Sequence, residues 1–329
     1  QQRGMALAVY GMGIMLAPIM GPVVGGITID AMGWRYLFFI PLPIAGLALM
    51  LGSLFMPARE AETERLPFDW AGYGLIVGAI VCTMSAIAGG PRDGWFSDKI
   101  MFLGLVGISL FVAFVVSQLR SKAPILDFSV FRHKQFAAAA ALGFVFGAGN
   151  FASTYIVPVF VQTVQNFTPT AAGLVSAPAG LVVMLFFPIA GRMVDTFPAY
   201  ILTIVGLLLF ALGALLLHQT DVNTAFVTLV IYVIVGRIGQ SIMLPAINVS
   251  ALGALPPEKL NNGSGTINFI RLMGGAFGVN LLVVFMEERT DMHAVALTVT
   301  QTYDNAASRE LLNHIRDLLS HGGAPEGLL

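Results

Sequence analysis

QFAAAAALGFVFGAGNFASTYIVPVFVQTVQNFTPTAAGLVSAPAGLVVMLFFPIAG, residues 135–191, contains no Asp, Glu, Lys or Arg. A helix needs about 20 predominantly apolar residues to cross the hydrocarbon core of a bilayer. This run is too long for one crossing. It breaks at Gln165-Asn166-Phe167-Thr168-Pro169-Thr170, a polar stretch with a proline that cannot continue a helix. The spacing therefore predicts two membrane helices, over 136–164 and 171–191, joined by a tight turn. Strict polar–apolar alternation, the mark of a membrane β-barrel, is missing from the run.

Outward from this stretch the pattern repeats. Further apolar runs predict spans at 4–29, 36–57, 70–90, 100–119, 199–217, 223–252 and 262–286, about nine transmembrane helices in all and an all-α polytopic membrane protein. Of the 329 residues, 57% are hydrophobic and 11% charged. Soluble domains carry roughly 25% charged residues, so lipid must be part of this chain's solvent. A net charge of −1 supplies no electrostatic reason for nucleic acid as a partner. Cys82 stands alone in an apolar run, and a small core residue is the plain reading of it. Gln1-Gln2-Arg3 leads into an apolar stretch longer than the core of a signal peptide, so none is expected.

Basic residues orient the bundle. The loops on the side of the N-terminus hold Arg3, Arg59, Arg65, Arg120, Lys122, Arg132, Lys134, Arg192 and Lys259. Those opposite hold Arg35, Arg92 and Lys99. Positive loops stay inside, so the first side is expected to be cytoplasmic. The chain from 287 to 329 is mostly polar and would lie outside, with a candidate amphipathic helix over 307–319.

The first span carries the sequence Gly11-Met12-Gly13-Ile14-Met15-Leu16-Ala17-Pro18-Ile19-Met20-Gly21-Pro22-Val23-Val24-Gly25-Gly26. Each glycine costs helix stability, about 1 kcal/mol against alanine. Close approach of a second helix compensates, since small residues let backbones touch in lipid. The expectation is contact with another helix at Gly21 and Gly25. Asp30 and then Trp34-Arg35-Tyr36-Leu37-Phe38-Phe39-Ile40 follow.

In these residues the chain resembles the fourteen-helix drug:proton antiporters of the major facilitator superfamily, the EmrB/QacA type. Gly21, Pro22, Gly25 and Gly26 match the Gly-Pro-x-x-Gly-Gly ending of that family's antiporter motif in helix five. Trp34, Arg35, Phe38 and Pro43 match the turn into helix six, although Tyr36 replaces a tryptophan and Pro41 an asparagine. Phe68-Asp69-Trp70-Ala71-Gly72, Gly94-Trp95-Phe96, Pro124-Ile125-Leu126-Asp127 and Phe131-Arg132 follow in the family's order. Pro158 and Gln162 match part of the ninth helix, where Val157 and Phe160 depart from the pattern. Gly191-Arg192-Met193-Val194-Asp195 resembles the superfamily's Gly-x-x-x-Asp motif. The resemblance implies an incomplete major facilitator fold running from helix five to helix thirteen. Residues 1–57 would end an N-terminal half-bundle. Residues 58–134 would be two linker helices with a cytoplasmic loop, 135–286 five helices of the C-terminal half-bundle, and 287–329 an extracytoplasmic tail.

Two charges lie inside spans, Arg237 and Arg271. A charge at the bilayer centre costs at least about 2.5 kcal/mol on insertion scales, which makes both candidates for substrate binding or coupling. Bracing of backbone carbonyls is the competing role for Arg237, and snorkelling to the interface the one for Arg271. Asn150, Tyr155, Gln162, Gln240 and Asn268 are candidate polar contacts, interhelical hydrogen bonding being the alternative. Gly191, Arg192 and Asp195 form a candidate gate, a carboxylate at a helix end that pairs in one state only. Solvated loop charges are the alternative there.

Every Asp and Glu falls in a loop, at a span edge or in the tail, so no mid-membrane carboxylate carries a proton within this chain. The resemblance implies proton-coupled export of hydrophobic or amphipathic small molecules from the inner (plasma) membrane, with protons and the lipid bilayer as the other partners and no cofactor or metal. It leaves a periplasmic adaptor open. A polar metabolite or siderophore exporter on the same fold is the alternative. A membrane-embedded enzyme is a remote one, because His133, His218, His293, His314 and His321 all fall in loops or the tail.

Overall fold

The computed structural model describes residues 20–55, 68–121, 123–300, 309–310 and 312–314. Among them there are helices and turns and no strand. Helix α1, Met20–Met32, is the described part of the first span. A 3-10 turn, Trp34–Phe38, leads into α2, Pro41–Phe55, and α3 and α4 run over Trp70–Asp93 and Asp98–Arg120. Then come α5 (Lys134–Thr163), α6 (Pro169–Thr196), α7 (Ala199–His218), α8 (Phe226–Leu252) and α9 (Leu260–Thr300). Eight helical stretches, all but α1, are long and apolar enough to cross a membrane. The expected stretch Gly11–Gly13 and the motif's start up to Ile19 lie outside the described residues.

Local chemistry sets the boundaries. After Met32 the chain turns at Gly33 (φ 92°), whose N–H reaches the carbonyls of Thr28 and Ile29 at 3.1 and 3.0 Å. A left-handed residue just past a helix closes its last turn in this way, and glycine takes it without steric cost. The turn expected at 165–170 forms, with Asn166 at φ 55°. Thr168 then caps α6, its hydroxyl accepting from Ala171 N, and Pro169 takes the first helical position, where its missing N–H is harmless. Asp69 caps α3, accepting from Gly72 N at 2.8 Å and from the Gln118 amide at 2.7 Å. Both bonds favour the ionised form and hold its carboxyl below the usual carboxylate range.

One helix differs from expectation. α9 does not end near 286 but continues to Thr300. The continuation Glu287–Thr300 contains neither glycine nor proline, so polarity alone does not stop it. The candidate helix at 307–319 is seen only as helical residues at 309–310 and 312–314, the rest lying outside the described residues.

The chain divides into two compact units, one comprising Gln1–Ile80 and Gly107–Val279, the other Val81–Val106 and Asn280–Leu329. In the smaller unit Arg92 pairs with Glu287 at 3.0 Å, Trp95 Nε1 donates to Glu288 at 2.9 Å, and Asn280 donates to the Met84 carbonyl at 3.5 Å. In the larger unit three apolar clusters share α8. One joins Phe136, Ala139 and Phe146 of α5 to Met243, Ile247 and Ala251 of α8 and Ile267 of α9. A second joins Val157 and Val161 of α5 to Ala172 and Val175 of α6 and Leu229 and Val233 of α8. A third joins Ala190, Leu202, Ile242 and Ala246. The first two lie toward opposite ends of the α5–α8 pair. Between them the two helices meet through polar side chains.

Loops assigned to one side by their basic charge do meet. Lys259 Nζ donates to Ser129 Oγ at 2.6 Å. Asp127 caps the short 3-10 helix Phe128–Arg132 by accepting from Ser129 N at 2.9 Å. The Ser129 hydroxyl, and further off the Lys259 charge, hold its carboxyl below the usual range against a partial desolvation.

Candidate functional site

The polar interval encloses a cavity of about 310 Å3 in the larger unit. From α5 it receives Phe146, Asn150, Phe151 and Thr154; from α6, Ser176, Gly180, Val183 and Phe187. Helix α8 supplies Arg237, Gln240, Ser241 and Leu244, α9 supplies Arg271 and Leu272, and α1 contributes Pro22. The α8 quartet recurs at spacings of three and four, so one face of the helix points into the cavity.

Arg237 is the centre of the polar network. Its Nη1 donates to Asn150 Oδ1 at 3.0 Å and to Gln240 Oε1 at 2.9 Å, and its Nη2 donates to Thr154 Oγ1 at 2.8 Å. All three acceptors are neutral. Arg271 Nη2 donates to Asn268 Oδ1, one helical turn back on its own helix. The ion pairs among the described residues are Arg92–Glu287 and Lys99–Asp93, and neither cavity arginine takes part in one. The cavity thus combines a mainly apolar wall of three phenylalanines and several aliphatic residues with two positive charges. Sparse, convergent polar groups in an apolar concavity are the usual composition of a small-molecule site.

The sequence candidates separate on this geometry. Asn150, Arg237, Gln240 and Arg271 meet at the cavity, and Asn268 reaches it through Arg271. Tyr155 and Gln162 do not line it. Tyr155 is 40% exposed, and the Gln162 amide donates back to the Pro158 carbonyl within α5. Residues 155 and 162 are seven apart, hence on one stripe of α5, turned away from the stripe of 150 and 154. Thr154 and Ser176 were missed. For Thr154 a signal existed, since it stands four residues after Asn150 and shares its face. Nothing in the sequence marked Ser176, because which face of α6 meets α8 depends on packing.

Gly191, Arg192 and Asp195 occupy the last turns of α6, which runs on to Thr196, rather than the loop beyond it. Arg192 and Asp195 are exposed, and their side chains hold no hydrogen bond or ion pair among the described residues.

The glycine contact of α1 also differs from expectation. A Cβ at Gly21 would meet nothing within 4 Å, and one at Gly25 only Leu37 Cδ2 at 3.6 Å. The touching face is that of Pro22 and Gly26. A Cβ at Gly26 would strike the backbone of Pro169 and Thr170, and one at Gly173 would strike the Pro22 carbonyl at 2.5 Å. The glycines at 21 and 25 sit about 100° around the helix from this face, so the same four-residue rhythm serves a different stripe. Asp30, one turn beyond Gly26, accepts from Thr170 N at 2.8 Å.

This chain matches curated proteins that are longer than it is, spanning a little over half of each. It is 25% identical over 293 residues to the uncharacterized MFS-type transporter YhcA of Bacillus subtilis, covering 89% of this chain and 55% of the relative. It is 29% identical over 303 residues to the multidrug export protein EmrB of Haemophilus influenzae, covering 91% of this chain and 59% of that protein. With a multidrug resistance protein B homolog of Mycobacterium tuberculosis it shares 29% identity over 320 residues, 94% of this chain and 58% of the homolog. Helices α5, α6, α8 and α9, each long and apolar enough to cross a membrane, line an amphipathic cavity, and residues 1–279 match the Major Facilitator Superfamily family profile; the chain belongs to that superfamily.

Proposed function

We propose that this chain works in a secondary active transporter that exports hydrophobic or amphipathic compounds by alternating access, with proton entry as the driving force. The observation that carries this reading is the cavity. Phe146, Phe151, Phe187, Leu244 and Leu272 offer apolar area to many shapes, and the polar groups are few enough not to demand one. The multidrug names of two relatives agree with it. In this reading residues 1–57 belong to one half-bundle, 135–286 to the other, and 58–134 link them, in the inner membrane. Gly191, Arg192 and Asp195 are the gate at the cytoplasmic end of α6, and the α1–α6 contact is where one half meets the other. Antiport is supported by the family resemblance alone, since no carboxylate lines the cavity among the described residues.

The two arginines favour the second reading, an exporter of polar metabolites, over a purely apolar site. The apolar majority of the wall weighs the other way. The test is efflux of the neutral amphiphile Nile red from de-energised cells expressing the complete reading frame. Re-energising should give efflux well above that of empty-vector cells, abolished by a protonophore. Equal rates in the two strains would overturn the export reading.

A further inference from the structure

The charge of the cavity is unusual for a site that accepts any oily molecule. Arg237 is held by Asn150, Gln240 and Thr154, which position its guanidinium without neutralising it. Arg271 reaches the same cavity with the neutral Asn268 as its only side-chain partner among the described residues. A second observation points the same way. Gln240 is 6% exposed, and its Nε2 has no acceptor among the described residues. Its orientation is not free. Flipping the amide would turn NH2 toward Arg237 and set two donors against each other. Arg237 therefore commits Gln240 to aim a donor that lacks an acceptor. A buried donor left unmade costs roughly 1–3 kcal/mol, so a partner oxygen has something to gain there. Two cations and one orphan donor share one need, an anionic oxygen acceptor.

We propose that the cavity recognises amphipathic anions, a carboxylate or sulfonate on an aromatic or branched apolar body. The headgroup bridges Arg237 and Arg271 and accepts from Gln240 Nε2, while the body lies against Phe146, Phe151 and Phe187. Planar guanidinium forks suit a two-oxygen anion. The proposal rests on the export reading for its site and sharpens it by naming a charge.

The test is fluorescence anisotropy on the purified full-length protein in a neutral detergent, with two probes. Fluorescein carries a carboxylate; tetramethylrhodamine methyl ester is a cation on the same tricyclic frame with that carboxylate esterified. Wild type should bind fluorescein at least about tenfold more tightly than the rhodamine ester. Arg237→Gln and Arg271→Gln should each weaken fluorescein about tenfold or more and leave the rhodamine ester no weaker. Gln240→Glu keeps both arginines and the side-chain size but places a carboxylate against Arg237. It should weaken fluorescein and tighten the rhodamine ester, closing the gap between the two probes. Because this variant gains a probe rather than losing one, it separates charge recognition from misfolding. Equal or tighter binding of the rhodamine ester by wild type would overturn the anionic class while leaving export intact. That result is expected if an acid elsewhere in the full-length protein already neutralises the arginines. Binding of neither probe above the detergent control would overturn the site itself, and Nile red efflux would then decide the export reading independently.

Discussion

Two helix crossings in the larger unit are built from the same residue and are not the same device. At the α5–α9 crossing, a Cβ on Gly274 would strike the carbonyl of Phe144, and one on Gly278 would lie 2.5 Å from Ala148 Cα. The contact is apolar and backbone to backbone, and the glycines sit four apart along one face. At the α1–α6 crossing Gly26 and Gly173 play that part against Pro169 and Pro22. There, however, Asp30 adds a carboxylate bonded to Thr170 N, in the first turn of α6. First-turn amides have no intrahelical acceptor, and the helix dipole favours an anion at that end. Glycine permits close approach in both places. Only the second contact carries a polar tie that a change of state can break and remake without moving the core.

The largest break expected is Gly274→Leu. Backbone atoms of Phe144 stand where the side chain must go, and backbone yields less readily than a side chain. Overpacking of this kind costs about 1–3 kcal/mol or more. Thermal unfolding followed by size exclusion should show a clear drop in melting temperature and in monodisperse yield. An unchanged melting temperature would mean that α9 is not seated on α5 as described.

Gly26→Ala against Gly25→Ala comes next and separates neighbouring faces of α1. A Cβ at Gly26 meets Pro169 C and Thr170 Cα at 2.8 Å, whereas at Gly25 it meets only Leu37. We expect Gly26→Ala to slow dye efflux about tenfold, a barrier change near 1.4 kcal/mol, with Gly25→Ala close to wild type. The reverse ranking would return the contact to the face of Gly21 and Gly25.

Asp30→Asn tests the tie alone. Hydrogen–deuterium exchange of the peptide over 166–173 should speed up about twofold to fivefold, because the Thr170 amide loses its charged acceptor. Exchange at 144–148, in the untied crossing, should not change. Equal effects at both places would show a general loosening rather than a lost bond.

The smallest effect concerns a carboxylate that ties nothing distant. Asp127 caps its own short helix beside Lys259, and Asp127→Asn should cost about 1 kcal/mol or less, given how much water reaches it. Its folded-state pKa lies below the unfolded value near 3.9. The stability it contributes is therefore present at neutral pH and lost as pH falls below about 4 through the folded value. The difference in melting temperature between wild type and Asp127→Asn should shrink over that fall. A difference constant from pH 7 to pH 3 would remove the charge from the explanation.

Some of this was legible without coordinates because it is local. The turn at 165–170 shows in Thr168 and Pro169, since caps and proline act within one turn of chain. The helix runs on past the apolar span that ends near 286, because a polar segment without glycine or proline remains a helix when its neighbours supply partners, as Arg92 and Trp95 do for Glu287 and Glu288. Arg237 stood out by itself, since a charge inside an apolar span has few explanations. Thr154 did not, because a threonine in a membrane helix usually bonds its own backbone. Thr154 does that as well, donating to Asn150 O at 2.7 Å while accepting from Arg237.

What the amino-acid sequence alone determined is the set of apolar helices and the presence of two cations within them, for hydrocarbon admits few other ways to satisfy a backbone. Which stripe of each helix faces which neighbour is another matter. Lipid tails are as apolar as leucine, so hydrophobicity does not tell an inward face from an outward one, and glycines recur on several faces of α1. Tertiary packing alone chose Pro22 and Gly26 over Gly21 and Gly25, turned Tyr155 and Gln162 away from the cavity, and joined Asp30 to Thr170 across 140 residues. Steric fit between backbones decides those contacts, and fit is a property of two surfaces together.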